Sequence, residues 1–483
     1  MKSKLIVASI MSAALLAACG GGGNDPTVAS ADIQVSPMAA ITSMSMAATV
    51  KTSGGLISVG QSPSFIRTRY GFDGLTTPAQ QGSGQVIAII SAYNNPNAAA
   101  DLAKFSAQHG LAPCTVVKTV YTVDPVSGYA LASTPKPAAG DGCTFQVINI
   151  KANGHPNAIT KYGVLTEVVP AGEANWIVES SMDIEWAHAM APMASIVLVQ
   201  APNNFVSALS YATQYASTFA DVVSMSWGAP ESAFASTCPI VYGGGTSPDC
   251  TPFKQTTTLL YGPENPVDPV TGYINYTGGG YDTIGFTNSN VTYVAASGDM
   301  SVPLWPAVST KVLSVGGTND KGPVDVGWGG SGGGLSTYYT APAWQSISGS
   351  PTRAVPDVAY NGDSASPMSV YVTPSTWVPD ASCVKTKGAN SCGWYGGYGT
   401  SLGAPQWAGI AAITRAVRAE NSKSIINFTA GLYTVASVPG YYATAFGDVL
   451  TGSNGNAAKT GYDLVTGLGV PNASVLVNYL AQQ

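Results

Sequence analysis

The sequence predicts an α/β protein in which a parallel sheet is covered by helices on both faces, and three observations predict it. Short, β-branched, apolar runs recur along the chain, helical periodicity lies between several of them, and the runs are apolar at successive positions. Neighbouring residues of a strand point to opposite faces, so a continuous apolar run needs cover on both sides. In chain order the expected strands are 85–90 (Q-V-I-A-I-I), 195–200 (S-I-V-L-V-Q), 221–226 (D-V-V-S-M-S), 291–296 (V-T-Y-V-A-A) and 311–315. Helical patterns are read at 98–108, 176–190, 206–215 and 404–417, the last with Ile410, Ile413 and Val417 on one side. Sites in such sheets gather at the carboxyl ends of the strands. No internal repeat and no linker-like stretch follows residue 60, so residues 61–483 are expected to form one large domain.

The N-terminus reads as an export signal. Lys2 and Lys4 precede an apolar run too short for a membrane span, and Leu16-Ala17-Ala18-Cys19 fits a bacterial lipobox. Residues 1–19 are therefore expected to be a lipoprotein signal ending at Cys19, the lipidated residue. Gly20 rather than Asp after the cysteine points to the outer membrane or cell surface, with an ordinary secreted protein as the alternative. Residues 20–60, rich in Gly, Ser, Ala and Met without clear periodicity, are expected to be a flexible tether.

Six further cysteines, Cys114, Cys143, Cys238, Cys250, Cys383 and Cys392, are disulfide candidates in an exported chain. Pairing sequence neighbours closes three short loops, although six cysteines allow fifteen connectivities. No C-x-x-C pair or histidine partner accompanies them, which argues against a metal site. With 10% charged residues and a formal charge of −6, the surface lacks the basic patch of a nucleic-acid binder. So few charges also limit self-repulsion when carboxylates protonate, which suits work at low pH.

Ser401 lies in G-G-Y-G-T-S-L-G-A-P (residues 396–405), a glycine-rich turn ahead of a helix whose free N–H groups and dipole favour a developing oxyanion. The chain holds only three histidines: His109, His155 and His188. Glu179 and Asp183, one helical turn apart in an apolar setting, face the same way and are the candidate activating groups. His188 lies nine residues past Glu179, which at roughly 100° per residue is nearly the opposite face. A conventional Ser-His-Asp hydrolase using His188 is thus the weaker alternative, and a non-catalytic binding lipoprotein on the same fold is another.

Seven stretches in order, E-S-S-M-D-I-E-W-A-H-A-M-A-P, V-V-S-M-S-W-G, A-A-S-G-D, K-V-L-S-V-G-G-T, R-A-V-P-D-V-A, G-G-Y-G-T-S-L-G-A-P and T-G-Y-D-L-V-T-G-L-G, resemble the sedolisin, or serine-carboxyl peptidase, family. They span residues 60–475. The resemblance implies a subtilisin-like fold and a serine-type endopeptidase acting on proteins or peptides in acid through an acyl-enzyme. It implies Ser401 as nucleophile, Glu179 as base, Asp183 as the carboxylate that orients Glu179, and Asp299 as oxyanion stabiliser. A glutamate of pKa ~4.3 still accepts protons in acid where a histidine of pKa ~6.5 does not. Ser226, Trp227 and Gly228 resemble the segment that pairs with extended substrate.

The same resemblance implies one structural calcium, held by the carboxylates of Asp448 and Asp463 and the carbonyls of Val449, Lys459 and Gly461, an all-oxygen shell suited to a hard cation. Lys459 stands where the family usually has glycine. Two further departures follow. Fewer than fifty residues separate Cys19 from the catalytic resemblance, too few for the family's long pro-domain, and residues 229–288 are long and rich in Gly, Pro and Tyr. A monomer is expected.

Overall fold

The computed structural model describes residues 33–38, 40–42, 49–51, 57–123, 130–150, 174–234, 258–259, 276–277, 281–375, 385–386, 389–390 and 392–483. Among these a nine-stranded sheet forms the centre. Its strands are β1 (Val86–Ala92), β2 (Thr115–Val116), β3 (Thr144–Asn149), β4 (Ser195–Ala201), β5 (Val222–Met225), β6 (Thr292–Ala296), β7 (Val312–Asn319), β8 (Val326–Gly327) and β9 (Val358–Asn361). Across the sheet the order is β2-β3-β4-β1-β5-β6-β7-β8, with β9 also on β7. Every pair is parallel except β7 with β8.

All seven residues of β1 and of β4 are buried, so both faces of the sheet are covered, as their unbroken apolar runs require. From β1 the chain runs to the edge strand β2 and returns through β3 and β4, then crosses to β5 on the other side of β1 and continues to β6, which makes the boundary between β1 and β5 a topological switch point.

The helices that matter for the site are α1 (Ala98–His109), α2 (Ala174–Met190), α3 (Val206–Ala216), α4 (Gly403–Glu420) and α5 (Ala473–Gln482). Residues 176–190 of α2 are buried without exception, the signature of a helix inside a core rather than on its surface. It packs against α1 and α4, and α4 in turn contacts β5, β6 and α5. Small residues permit that close approach: a Cβ on Gly409 would stand 2.8 Å from the Met190 Cβ.

Observed elements match the expected ones within a residue or two, except that α4 runs three residues further, to Glu420, and β7 four residues further, through the glycines of V-G-G-T-N. The expected tether differs more. Within residues 20–60 the chain forms strands Ser36–Pro37, Ala40–Thr42, Thr49–Lys51 and Ile57–Val59. Ser36–Pro37 and Ala40–Thr42 pair antiparallel with residues 227–228 and 396–398, so they gain order from partners about 190 and 360 positions away, which no local pattern reports. Residues 32–483 form one compact unit.

Cys114 and Cys143, neighbours in sequence, form a disulfide, and Cys392 is also disulfide-bonded. Cys19, Cys238, Cys250 and Cys383 lie outside the described residues, as does His155 and most of 229–288. Among the described residues no helix is long and apolar enough to cross a membrane.

Candidate active site

Helix α2 presents Glu179 and Asp183 on one face, both buried, with 1% and 0% of their surface exposed. Neither Glu179 oxygen has a hydrogen-bond partner in this arrangement. Burial drives its pKa well above the ordinary carboxylate value, the Asp183 and Asp299 charges push the same way, and the nearby Ser401 hydroxyl opposes them. Asp183 accepts a 2.7 Å hydrogen bond at Oδ1 from the Ser226 hydroxyl, while Oδ2 has no partner. Burial raises its pKa too, against the effect of Ser226.

Ser401 is placed by a strand, a turn and a helix. Strand Trp394–Tyr398 ends at Gly399, whose φ of 120° favours glycine, and a short 3-10 turn, Thr400–Leu402, leads into α4. The Ser401 hydroxyl donates to the Ser226 carbonyl at 3.3 Å, and the Ser401 N–H donates to the Met38 carbonyl at 3.1 Å. The hydroxyl therefore lies between the Ser226 carbonyl and the Glu179 carboxylate, close enough to the latter to lower its pKa.

Asp299 follows β6 and is tied to the residue before the serine. Its Oδ1 accepts from both the N–H and the hydroxyl of Thr400, each at 2.8 Å, and the Thr400 hydroxyl accepts from Gly298 N–H at 3.1 Å. Burial pushes the Asp299 pKa up to about 7, with the two Thr400 donors holding it back. Asp299 can thus stay protonated in acid, the state in which a carboxyl group donates a hydrogen bond.

The segment Ser226-Trp227-Gly228 leaves β5 along the cleft. Trp227 is buried, its indole N–H donating to the Ile90 carbonyl at 3.1 Å, and a Cβ on Gly228 would meet the Trp305 carbonyl at 2.8 Å. The sequence marked these residues for substrate pairing, but not the Ser226 hydroxyl on Asp183, nor Thr400 on Asp299. A serine next to the expected pairing segment and a threonine next to the nucleophile were the available signals.

His188 faces away from Ser401. Its Nε2 is 2.9 Å from the Ala112 carbonyl and its Nδ1 is 3.4 Å from Cys114 Sγ, on the disulfide side of α2. Burial lowers its pKa to about 4. His109 lies 3.3 Å from the Ser369 hydroxyl, packed against Phe105 and Trp394, with its pKa lowered to about 4 by burial. Neither imidazole serves the nucleophile.

Asp448 and Asp463 converge on one loop. Asp448 accepts from Gly461 N–H at 3.0 Å and from the Tyr442 hydroxyl at 3.0 Å, and Asp463 accepts from Lys459 N–H at 3.1 Å and from Val465 and Thr466 N–H at 2.8 Å. Among the described residues no salt bridge compensates either carboxylate. Two carboxylates without a cationic partner, beside the backbone of Lys459 and Gly461 and next to buried Val449, form a donor set compatible with a hard divalent cation.

The Subtilase family model matches residues 171–448. The chain is similar to kumamolisin of Bacillus sp. (strain MN-32), 26% identical over 357 residues, covering 68% of this chain and 53% of kumamolisin. It is also similar to tripeptidyl-peptidase 1 of Dictyostelium discoideum, 30% identical over 224 residues, covering 39% of this chain and 33% of that protein. The chain thus spans about half of one relative's length and a third of the other's. In fold it resembles the structure of Pseudomonas sedolisin, a serine-carboxyl proteinase complexed with pseudo-iodotyrostatin, at TM-score 0.57 and 19% identity over 88% of this chain and 99% of that one. The chain belongs to the subtilase family, and within it to the sedolisins, the serine-carboxyl peptidases.

Proposed function

We propose that this protein is an exported serine-type endopeptidase that hydrolyses protein and peptide bonds at acidic pH through Ser401, Glu179 and Asp183. The observation that carries the reading is a buried carboxylate pair beside a helix-terminal serine, with every described histidine turned elsewhere. Ser401 Oγ attacks the substrate carbonyl carbon as its proton passes to Glu179. Asp183, held by the Ser226 hydroxyl, keeps the pair's charge and position, and Glu179 then returns the proton to the leaving amine. The Ser401 N–H and protonated Asp299 stabilise the oxyanion. Water repeats the sequence on the acyl-enzyme and releases the acid product.

Three further parts complete the proposal. Asp448, Asp463 and the carbonyls of Val449, Lys459 and Gly461 hold one structural calcium, which braces the loop and takes no part in the chemistry. Cys19 carries the lipid that anchors the protein to the outer membrane or cell surface. Protein or peptide chains are the substrates, and the protein works as a monomer. Profiling a peptide library between about pH 3 and 8 with wild-type, Ser401→Ala and Glu179→Gln proteins tests the reading. Cleavage in acid that both variants lose supports it, and wild-type-like cleavage by Glu179→Gln contradicts it.

A further inference from the structure

We infer that the chain binds a phosphate-type oxyanion in a small cavity at the end of the sheet opposite Ser401, apart from the peptidase chemistry. The cavity measures about 120 Å³. It lies beside the last turns of α4, the helix that Ser401 precedes, and against the amino ends of β5 and β6, where Asp221 and Thr292 stand. Pockets that take drug-sized molecules measure roughly 300–1,000 Å³, so this one suits an ion or a single headgroup rather than a peptide.

The lining inverts the charge balance of the molecule. Acidic residues outnumber Lys and Arg in the chain by 26 to 20, yet Lys136, Arg415, Arg418 and Lys423 line the cavity and Asp221 is its one acidic side chain. Asp221 is fully engaged: Oδ1 accepts from Lys136 Nζ at 2.7 Å and Arg415 Nη2 at 3.1 Å, and Oδ2 accepts from Val86 N–H at 3.0 Å. Arg418, 3% exposed, donates from Nε to the Ser424 carbonyl at 2.8 Å and from Nη1 to the main-chain oxygens of Leu480 and Gln483, the latter at 3.0 Å. Among the described residues neither Arg418 nor Lys423 pairs with an acidic side chain. Even with the main-chain end at Gln483 counted as an anion, four cations face two anions, an excess of two positive charges.

Arg415 adds an unsatisfied donor. Its Nη1 donates to the Asn290 carbonyl at 2.6 Å and its Nη2 to Asp221, while Nε is buried without a partner. A buried charged donor without an acceptor is destabilising, and an anion in the cavity removes that cost. The guanidinium groups offer directed N–H donors and the ammonium groups point charges, the combination that suits the oxygens of a phosphate. The sign of the lining excludes a metal cation, and its extent, one cavity rather than a basic stripe, excludes nucleic acid. At the rim Lys136 and Lys423 are exposed, and Ile425 is 50% exposed near them. Such a rim accepts a free phosphate or the phosphate of a lipid headgroup, one chemistry from two sources. Arg415 and Arg418 belong to α4, and Asp221 opens the strand that leads to Ser226, so the bound anion ties the far ends of two site-bearing elements and raises stability.

The test uses the full chain with Cys19→Ser, so that no attached lipid brings it to a vesicle, beside the same chain also carrying Lys136→Ala and Lys423→Ala, two exposed positions outside the core. Calorimetric titration with inorganic phosphate, and thermal melts in phosphate against sodium chloride at equal ionic strength, read binding. The parent should take up one phosphate per chain and melt a few degrees higher than in chloride, and the lysine variant should bind about tenfold more weakly or worse. Vesicles of phosphatidic acid, against phosphatidylcholine vesicles in which choline caps the phosphate, separate the sources. Co-sedimentation with phosphatidic acid that inorganic phosphate displaces supports the site with a headgroup as its ligand, and phosphate binding without co-sedimentation supports it with the free ion. Melts that follow ionic strength alone, with no saturable heat of phosphate binding, overturn the inference. Phosphate binding that the lysine variant retains in full also overturns it, because the anion is then held elsewhere.

Discussion

Two buried polar clusters built around carboxylates in this molecule are made on opposite terms. Around Arg353, charge is compensated. Asp357 receives both guanidinium Nη atoms at 2.6 Å, the Tyr433 hydroxyl at 2.7 Å, Gln345 Nε2 at 3.3 Å and Ser314 N–H at 2.8 Å. Burial works against the Arg353 charge, but Asp357 outweighs it and the guanidinium pKa is raised. Around Ser401, three acids share one space with no described cation beside them. Glu179 has no hydrogen-bond partner and Asp183 uses one oxygen. The first cluster locks strands in place. The second keeps protons mobile at a cost in stability, and it sits where chemistry is expected.

The largest expected difference is in turnover. Glu179→Gln should lower peptide hydrolysis on the order of a hundredfold or more, since it removes the proton acceptor for Ser401. It should not unfold the protein, because a partnerless buried carboxylate becomes a neutral amide. A loss of thermal stability as large as the loss of activity would erase the contrast. The reverse pattern is expected at the other cluster. Arg353→Ala should destabilise by about 3–5 kcal/mol by stranding Asp357, while folded protein at low temperature keeps its turnover. Denaturant melts and assays on the same preparations measure both.

Stability should also depend on pH with a sign set by the site. Glu179, Asp183 and Asp299 have folded pKa values raised above their unfolded ones, Asp299 to about 7. The folded state therefore binds more protons than the unfolded state in that window, and stability falls as pH rises. The Asp299 contribution is fully present below its unfolded pKa near 4 and is lost as pH climbs through about 7, and those of Glu179 and Asp183 are lost in the same direction. Melting temperature should drop over that range in wild type and drop less in Asp299→Asn; equal slopes would contradict the assignment. Smaller again is the effect of a chelator, which should lower the melting temperature by a few degrees in wild type and not in Asp463→Ala if calcium occupies the loop.

Glu179, Asp183, Asp299 and Ser401 were legible in the sequence because each stands in a local pattern: a helix repeat, a strand end, a glycine turn. The buried strands were legible for the same reason, being apolar on both faces. What stayed hidden was non-local. Met38 looks like a tether residue until its partners at Ser226 and Ser401 are known, and Thr400 matters only because Asp299 reaches it across the sheet. The phase of His188 on α2 was readable, but its reason for being there, the Ala112 carbonyl and the Cys114 sulfur, was not.

The pH dependence of kcat/KM between about pH 2 and 9, for wild type, Asp299→Asn and His188→Ala, tests the carboxylate mechanism most directly. Wild type should show a bell confined to the acidic range, falling as pH rises through about 7 where Asp299 loses its proton. His188→Ala should keep that profile, and whatever activity Asp299→Asn retains should lose the steepness of the alkaline limb, because an amide donates at every pH. A plateau at neutral to alkaline pH that His188→Ala abolishes would contradict the account.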